Sequence, residues 1–187
     1  MRPQKTNDTR LIEGLITVLQ SRGFEGASLN DLAQAAGLQK ASLYHRFPGG
    51  KQEIAITALR HVQAWIKDHI YLVLTRQDMA PEAKLDLVLQ HIQERYQQGE
   101  KNCILNALSF DSGLTGIKNE ISTSMQLWID AFTALGTGQG LTTSQAGAKA
   151  RQSLILVEGS LVLARGSGNT AYFHQALAEL KKLYINT

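Results

Sequence analysis

The sequence is poor in proline, cysteine and aromatic residues. Three prolines in 187 residues leave long stretches without the residue that removes a backbone donor and breaks a helix interior. A single cysteine, Cys103, excludes an intramolecular disulfide framework. No apolar run approaches the roughly 18 residues needed to span a bilayer as a helix. Met1 to Asp8 is polar and lacks the apolar segment of a secretory signal. These absences lead to the expectation of a soluble, cytoplasmic protein with no membrane partner. The zinc-protease pattern HExxH, the paired-cysteine pattern CxxC and the nucleophile elbow GxSxG are missing. "GTGQG", from Gly136 to Gly140, follows no strand pattern and has the wrong final spacing for a dinucleotide fingerprint. The histidines, at 45, 61, 69, 91 and 174, show no metal-ligand spacing on one helix face. No catalysis, cofactor or metal is therefore expected.

What remains is a helix-forming composition. Apolar residues make up 43% and charged residues 19%, an ordinary globular mixture, and Ala, Leu and Gln are abundant. Asp8 or Thr9 can cap a first helix, in which Leu11, Ile12, Leu15, Ile16 and Leu19 recur at helical spacing, and Gly23 ends it. Ser28 caps a second, with Asp31 in a capping-box position. Gln39 to Phe47 reads as a third, broken by Pro48-Gly49-Gly50. Lys51 to about Arg76 reads as one long helix. Further helices follow from Pro81 to Gln98, Cys103 to Phe110 (ending near Gly113), Leu114 to Leu135, Thr142 to Arg165 and Thr170 to Ile185, with "GTGQG" as a flexible connection. No strand survives this reading, so the expected fold is all-α.

The stretch "SLNDLAQAAGLQKASLYHRFPGGK" carries the function. Helices of about two turns are marginal alone, and two of them joined at a glycine form a helix-turn-helix. The second must be short and exposed on one side because it enters a DNA major groove, about 12 Å wide, with the residues near its N-terminus. Leu38, Leu43 and Phe47 read as its internal glue. Gln39 can read adenine, Lys40 guanine or phosphate, and Ala41 a thymine methyl. The polar side chains of Ser42, Tyr44, His45 and Arg46 face the same way, and the Ser and Tyr hydroxyls suit phosphate oxygens. Ser28 and Lys51, each at a helix N-terminus, can clamp phosphates. Charge agrees: residues 1–51 hold seven Lys/Arg against four Asp/Glu, and residues 52–187 hold twelve of each. The excess of positive charge lies where an anionic partner would bind.

The segment "ASLNDLAQAAGLQKASLYHRFPGGKQEI" resembles the DNA-binding signature of the TetR family of transcriptional regulators. Ser28, Ala33, Gly37, Ser42, Leu43, Tyr44, Phe47 and Lys51 stand at matching positions. Pro48 departs from the small or polar residue common there. "CILNALSFDSG" and "LILVEGSLVLARGSGN" resemble segments of the LmrA/YxaF-like subgroup. The resemblance implies an N-terminal three-helix DNA-binding domain, residues 1–50. A long fourth helix joins it to a helical ligand-binding and dimerisation domain, residues 51–187. It further implies a homodimer on a near-palindromic double-stranded operator, most simply a repressor, answering to a small-molecule effector. The rival readings are a helical interaction protein without DNA binding and a small-molecule-binding enzyme.

For the effector pocket, the apolar-faced residues with polar tips are the candidates: His61, Trp65, Cys103, Asn106, Phe110, Met125, Trp128 and Phe132, with His69 and Tyr96 beside them. Since this set holds no Lys or Arg, the expected ligand is uncharged or weakly polar and aromatic. Cys103 reads either as a buried small hydrophobe or as a sensor thiol if exposed and near a cation. For the dimer, Ile155, Gly159 and Val162 on one helix and Phe173 and Leu177 on the next suit a four-helix seam.

Overall fold

A computed structural model describes residues 5–110 and 115–185. Among these every regular element is helical, so the chain is all-α. The elements are α1 (Lys5–Gly26), α2 (Leu29–Ala35), α3 (Lys40–Arg46), α4 (Gly50–Ile66), α5 (Leu72–Leu74), α6 (Pro81–Arg95), α7 (Ile104–Ser109), α8 (Thr115–Gly138), α9 (Thr143–Ser167) and α10 (Ala171–Ile185). They gather into two compact units: Met1–Val62 with Ile104–Ser122, and Gln63–Cys103 with Thr123–Thr187. The expected helix end near Gly113 and helix start at Leu114 lie outside the described residues.

In the first unit, α1 buries Leu11, Leu15, Ile16 and Leu19 along one stripe and packs on α2 and α7. The helix already runs at Lys5, so Asp8 and Thr9 lie within it and do not cap it. It breaks at Gly23, where φ is 68°, a conformation costly for a side chain with a Cβ. Ser28 then caps α2: its hydroxyl accepts from the Asp31 backbone N–H at 3.1 Å, and its own N–H donates to the Asp31 carboxylate at 3.2 Å. This reciprocal box satisfies two orphan donors of a seven-residue helix. Leu32 and Ala33 of α2, Leu43 of α3 and Ile54, Ala55 and Leu59 of α4 complete the small core.

The backbones of α1 and α2 meet at Gly14. A Cβ there would lie 2.2 Å from the Ala35 carbonyl oxygen, inside any allowed contact. Glycine is required by the neighbour's main chain, which has nowhere to rotate.

In the second unit, α10 packs on α9 and on α6. Its core holds Leu85, Val88 and Ile92 of α6, Trp128 and Phe132 of α8, Val157 of α9, and Phe173, Leu180 and Tyr184 of α10. Thr142 caps α9 with a second capping box, to Gln145. Two boundaries depart from expectation. The long fourth helix is not uniform: after Ile66 it widens into a π-turn, Lys67–Tyr71, before the last turn α5. And α8 continues through Gly136 to Gly138, so most of "GTGQG" is helix. A Cβ on Gly136 would sit 2.9 Å from that of Ala146, which makes this residue a close contact with α9 rather than a hinge.

Gly14→Ala is expected to lower unfolding stability by about 2–3 kcal/mol, the cost of overpacking against backbone. The equally small Gly138→Ala, whose Cβ would meet nothing within 4 Å, should not destabilise. Urea denaturation of the full chain checks both.

Candidate nucleic-acid interface and ligand cleft

Two buried side chains decide how α3 is presented. Leu43 and Phe47 are buried, and with them inside, every other face of a seven-residue helix is exposed. Gln39, Lys40, Ala41, Ser42, Tyr44 and His45 all lie at the surface. Gln39 is the N-cap residue in extended conformation, its side chain taking no part in the cap. None of these six bonds to another described residue through its side chain, so their polar groups stand ready for an external partner. Arg46, on the same helix, is committed: it donates to Asp8 of α1 at 2.9 Å. It is an internal strut, which separates it from the reading set.

Lys51 opens the next helix and is pre-positioned. Its ammonium sits 4.5 Å from the centroid of the Phe24 ring and 3.9 Å from the Glu25 carboxylate, with the Glu25 backbone oxygen at 3.5 Å. A cation over an aromatic face is held without being neutralised. Ser28 differs from its expected phosphate-clamping role. Its hydroxyl donates its one proton to the Asp31 carboxylate at 2.6 Å. That hydrogen bond, first, and the Arg22 guanidinium at 2.6 Å hold Asp31 below the usual carboxylate range. Ser28 therefore builds the cap that shapes α2, and in this structure it has no proton left for a phosphate.

The second unit contains a cleft of about 290 Å³ lined by Trp65, His69, His91, Glu94, Arg95, Gln97 and Lys101. Trp65 precedes the π-turn and His69 lies in it, and their rings stack at 5.1 Å and 11°. His91 meets His69 edge-on at 5.0 Å, and the Arg95 guanidinium lies 5.5 Å from the Trp65 ring centroid. Both imidazoles have a determined tautomer. His69 Nδ1 is 3.1 Å from the Trp65 carbonyl oxygen and His91 Nδ1 is 3.0 Å from that of His69. A carbonyl only accepts, so each Nδ1 carries the proton, and each Nε2 is an acceptor while the ring is neutral. Gln97 and Lys101 come from a tight turn after α6 in which Gln97, Gln98 and Gly99 all have positive φ, of 46°, 58° and 96°. Such strain in non-glycine residues concentrates at functional sites. The π-turn is a second irregularity at the same cleft, and π-turns have the same tendency.

Of the ligand residues expected from sequence, Trp65 and His69 line this cleft. Cys103, Met125, Trp128 and Phe132 belong to the same unit, but Trp128 and Phe132 are buried and stacked on each other at 5.6 Å, with Phe132 also against Tyr184 at 5.8 Å. They are core. His61 and Asn106 belong to the first unit, where His61 pairs with Glu13 at 3.3 Å. Phe110 is 80% exposed. His91, Arg95 and Lys101 were missed because only apolar-faced residues were sought. The signal was present in "HIQERYQQGEK", where a histidine and an arginine four apart share a helix face.

For the dimer set, Ile155 and Val162 are exposed at 69% and 53%, and Gly159 is exposed between them. Phe173 and Leu177 are corrections: both are buried in the chain's own core, because α10 turns that stripe onto α9 and α6. Ala171, Gln175 and Ala178 are among the outward residues of α10.

Cys103 is buried. Tyr96 donates its hydroxyl proton to Sγ at 3.4 Å, and the thiol hydrogen-bonds the Glu158 carboxyl. Burial against a phenol and an acid takes the place of the exposure that makes a thiol reactive. Burial raises both partners, Tyr96 well above the ordinary phenol value and Glu158 above the ordinary carboxylate value. The second oxygen of Glu158 is buried without a hydrogen bond, which accounts for its preference for a proton.

A small exposed polar helix held by two buried anchors beside a poised lysine defines a helix-turn-helix nucleic-acid-binding protein. Residues 11–57 match the family of bacterial regulatory proteins described as the tetR family. Over 61 residues the chain is 33% identical to the HTH-type transcriptional regulator LmrA of Bacillus subtilis, covering 33% of this chain and 32% of that protein. It is 22% identical over 150 residues to the HTH-type regulator YxaF of the same organism, covering 78% of each. A TetR transcriptional regulator from Legionella pneumophila superposes over 98% of this chain and 100% of its own, with a TM-score of 0.85 at 20% identity. Residues 11–57 are therefore a DNA-binding segment of the TetR family of bacterial regulators, and the whole chain shares the fold of solved TetR-family regulators. Among the described residues no helix is long and apolar enough to cross a membrane, and no cluster of three metal-ligating side chains occurs.

The buried acid gives a pH prediction. A carboxyl raised above its ordinary 4.5 favours folding below that value and loses the contribution as pH rises through the folded value. Glu158→Gln, which keeps an acceptor for the Cys103 thiol, should melt above wild type at pH 8, with the difference closing towards pH 4. Thermal melts across that range check it. A Gln variant that melts lower at every pH would show that the ionised carboxylate is stabilising.

Proposed function

We propose that the chain is a ligand-responsive transcriptional repressor that binds a near-palindromic operator as a homodimer, each protomer placing α3 in a major groove. The observation that carries this reading is the presentation of α3: six exposed residues whose side chains bond to no other described residue, with Leu43 and Phe47 turned inward as anchors. An interaction module or an enzyme would have no use for that arrangement next to a cation poised over Phe24. In this reading residues 1–50 read DNA, and residues 51–187 hold the effector and the dimer seam. Gln39, Lys40 and Ala41 face base edges, while Ser42, Tyr44, His45 and Lys51 face the backbone. Trp65 and His69 lie on the helical run that opens with Lys51, so a ligand in the cleft acts on the element that begins at the DNA surface. Such coupling requires a ligand that prefers one of two arrangements of that run.

The dimer seam is α9 with α10. Ala148, Gln152, Ile155, Gly159, Val162 and Gly166 all face outward, spaced alternately four and three apart, the spacing of a helix–helix seam. Gly159 and Gly166 have open space where a Cβ would be, which permits close approach. On α10, Ala171, Gln175 and Ala178 continue the same spacing. Two such pairs make a four-helix interface.

Two experiments test the proposal. Lys51→Ala and Tyr44→Phe should weaken binding to operator and random duplex alike, with the lysine change lowering the salt slope by about one. Gln39→Ala should change which operator is selected. Binding-site selection in which Lys51→Ala altered the preferred sequence and Gln39→Ala did not would reverse the assignment. Val162→Glu should give a monomer by light scattering and lose operator binding, since a charge in an apolar seam is costly. A Val162→Glu protein that stays dimeric would place the seam elsewhere.

A further inference from the structure

We infer that His91 latches the π-turn Lys67–Tyr71, and that this segment is a two-register element: π with the latch in place, α without it. The register is a property of the chain alone. Only its link to DNA binding rests on the reading of the second unit as the effector-binding one.

A π-turn is rare because its hydrogen bonds reach one residue further than those of the helix around it. Here the Leu72 N–H donates to the Lys67 carbonyl, five residues back. Two imidazoles hold this backbone. The His69 ring donates its Nδ1–H to the Trp65 carbonyl at 3.1 Å, the acceptor that the backbone N–H of His69 takes in an α-helix. A side chain inserted into that ladder is a known cause of helix irregularity. The second hold comes from outside the run. His91 of α6 donates its Nδ1–H to the His69 carbonyl at 3.0 Å and sets its ring edge-on to that of His69. Nδ1 carries a proton both in the tautomer these carbonyls select and in the imidazolium, so the latch holds at either charge.

The apolar pattern accepts both registers. Ile66, Ile70 and Leu74 are buried and spaced four apart. In a regular α-helix each step of four overshoots the turn by about 40°, which would carry Leu74 about 80° from Ile66. The extra residue of the π-turn takes back about 100° and returns Leu74 to the face of Ile66. Without it, Val73 would move into the place of Leu74, and Leu72 into that of Val73. Residues 70–74 read Ile-Tyr-Leu-Val-Leu, so the slip exchanges apolar for apolar. Leu72 reports the change: it is 48% exposed in the π register, and the α register would bury it. Both imidazoles line the cleft. An occupant that draws His91 off the His69 carbonyl would therefore release the register of the run that opens with Lys51.

The test places Leu72→Cys in the full-length protein and labels it with a maleimide. The native Cys103 is buried and serves as the reference for opening of the fold. Labelling is followed by peptide mass in three backgrounds: His91, His91→Leu and His91→Asn. The asparagine amide nitrogen lies as many bonds from Cβ as Nδ1 does, so it keeps the donor that leucine removes. The thiol at position 72 should label at similar rates with His91 and with His91→Asn. With His91→Leu it should label about tenfold or more slower, since a buried thiol reacts only through opening. An unchanged rate in His91→Leu would overturn the inference, and so would equal slowing in His91→Asn. If His91→Leu unfolds, both thiols label, and His91→Ala replaces it with the same expectation. Unfolding of both variants would also overturn the inference, because the α register would then not be a folded state. Affinity for the selected operator is measured on the same proteins. His91→Leu should change it by about fivefold or more, the lower range of allosteric couplings, and His91→Asn should not. A slowed thiol with unchanged affinity keeps the latch and removes its link to DNA binding. If no duplex is bound at all, the regulatory reading fails, and the labelling still decides the latch.

Discussion

A helix of seven residues cannot hold itself together in water, and the organisation of the first unit follows from that constraint. Nucleation consumes more entropy than two turns of hydrogen bonds return, so α3 is stable only through what it packs on. Leu43 and Phe47 supply that packing, and they leave the rest of α3 open to solvent. The same problem recurs one element earlier. α2 is also seven residues long, and it is rescued by a capping box on Ser28 and Asp31, by the Arg22 ion pair to Asp31, and by backbone contact with α1 at Gly14. The second helix is thereby rigid enough to serve as a platform for the third. Stability is drawn from neighbours so that one surface can be left without internal partners.

Polar groups in this chain divide into those spent internally and those left unspent, and the division tracks function. Arg46 and Ser28 sit in the reading region, but one braces α1 and the other builds a cap. Gln39, Lys40, Ser42, Tyr44 and His45 have no such engagement. Lys51 lies between these cases: it is oriented by an aromatic face and a distant carboxylate, which keeps its charge available. In the second unit the buried thiol of Cys103 is enclosed by a phenol and an acid. The ionisable groups of the cleft are instead arranged around a volume. The cleft also coincides with two backbone irregularities, a π-turn and a left-handed turn. Both displace side chains from where a regular helix would carry them.

Much of this was legible in the chain itself, for local reasons. The helix-turn-helix is encoded by spacing, capping and turn residues that act within a few positions of each other: Ser28 and Asp31, Gly37, Leu43 and Phe47. The all-helical fold follows from scarce proline and from periodic apolar residues, and the exposed set on α3 follows from which two of its residues are large and apolar. The outward stripe of α9 through Ile155, Gly159 and Val162 was readable for the same reason, because on a helix the period alone separates two faces.

What the sequence by itself determined is therefore the set of elements and, for each, its apolar stripe. What only the tertiary structure decided is which neighbour each stripe meets. Phe173 and Leu177 form a stripe equally suited to a partner chain or to the chain's own core, and packing against α9 and α6 placed them in the core. Trp128 and Phe132 have the composition of a ligand wall, yet they fill the interior against Tyr184. The cleft is assembled from the end of α4, the π-turn, α6 and the turn after it, so no single segment announces it. Its cations were hidden from a pattern search because charged residues on a helix usually mark the solvent face. The physical reason is the same in each case: periodicity is a property of one helix, whereas burial is a property of two.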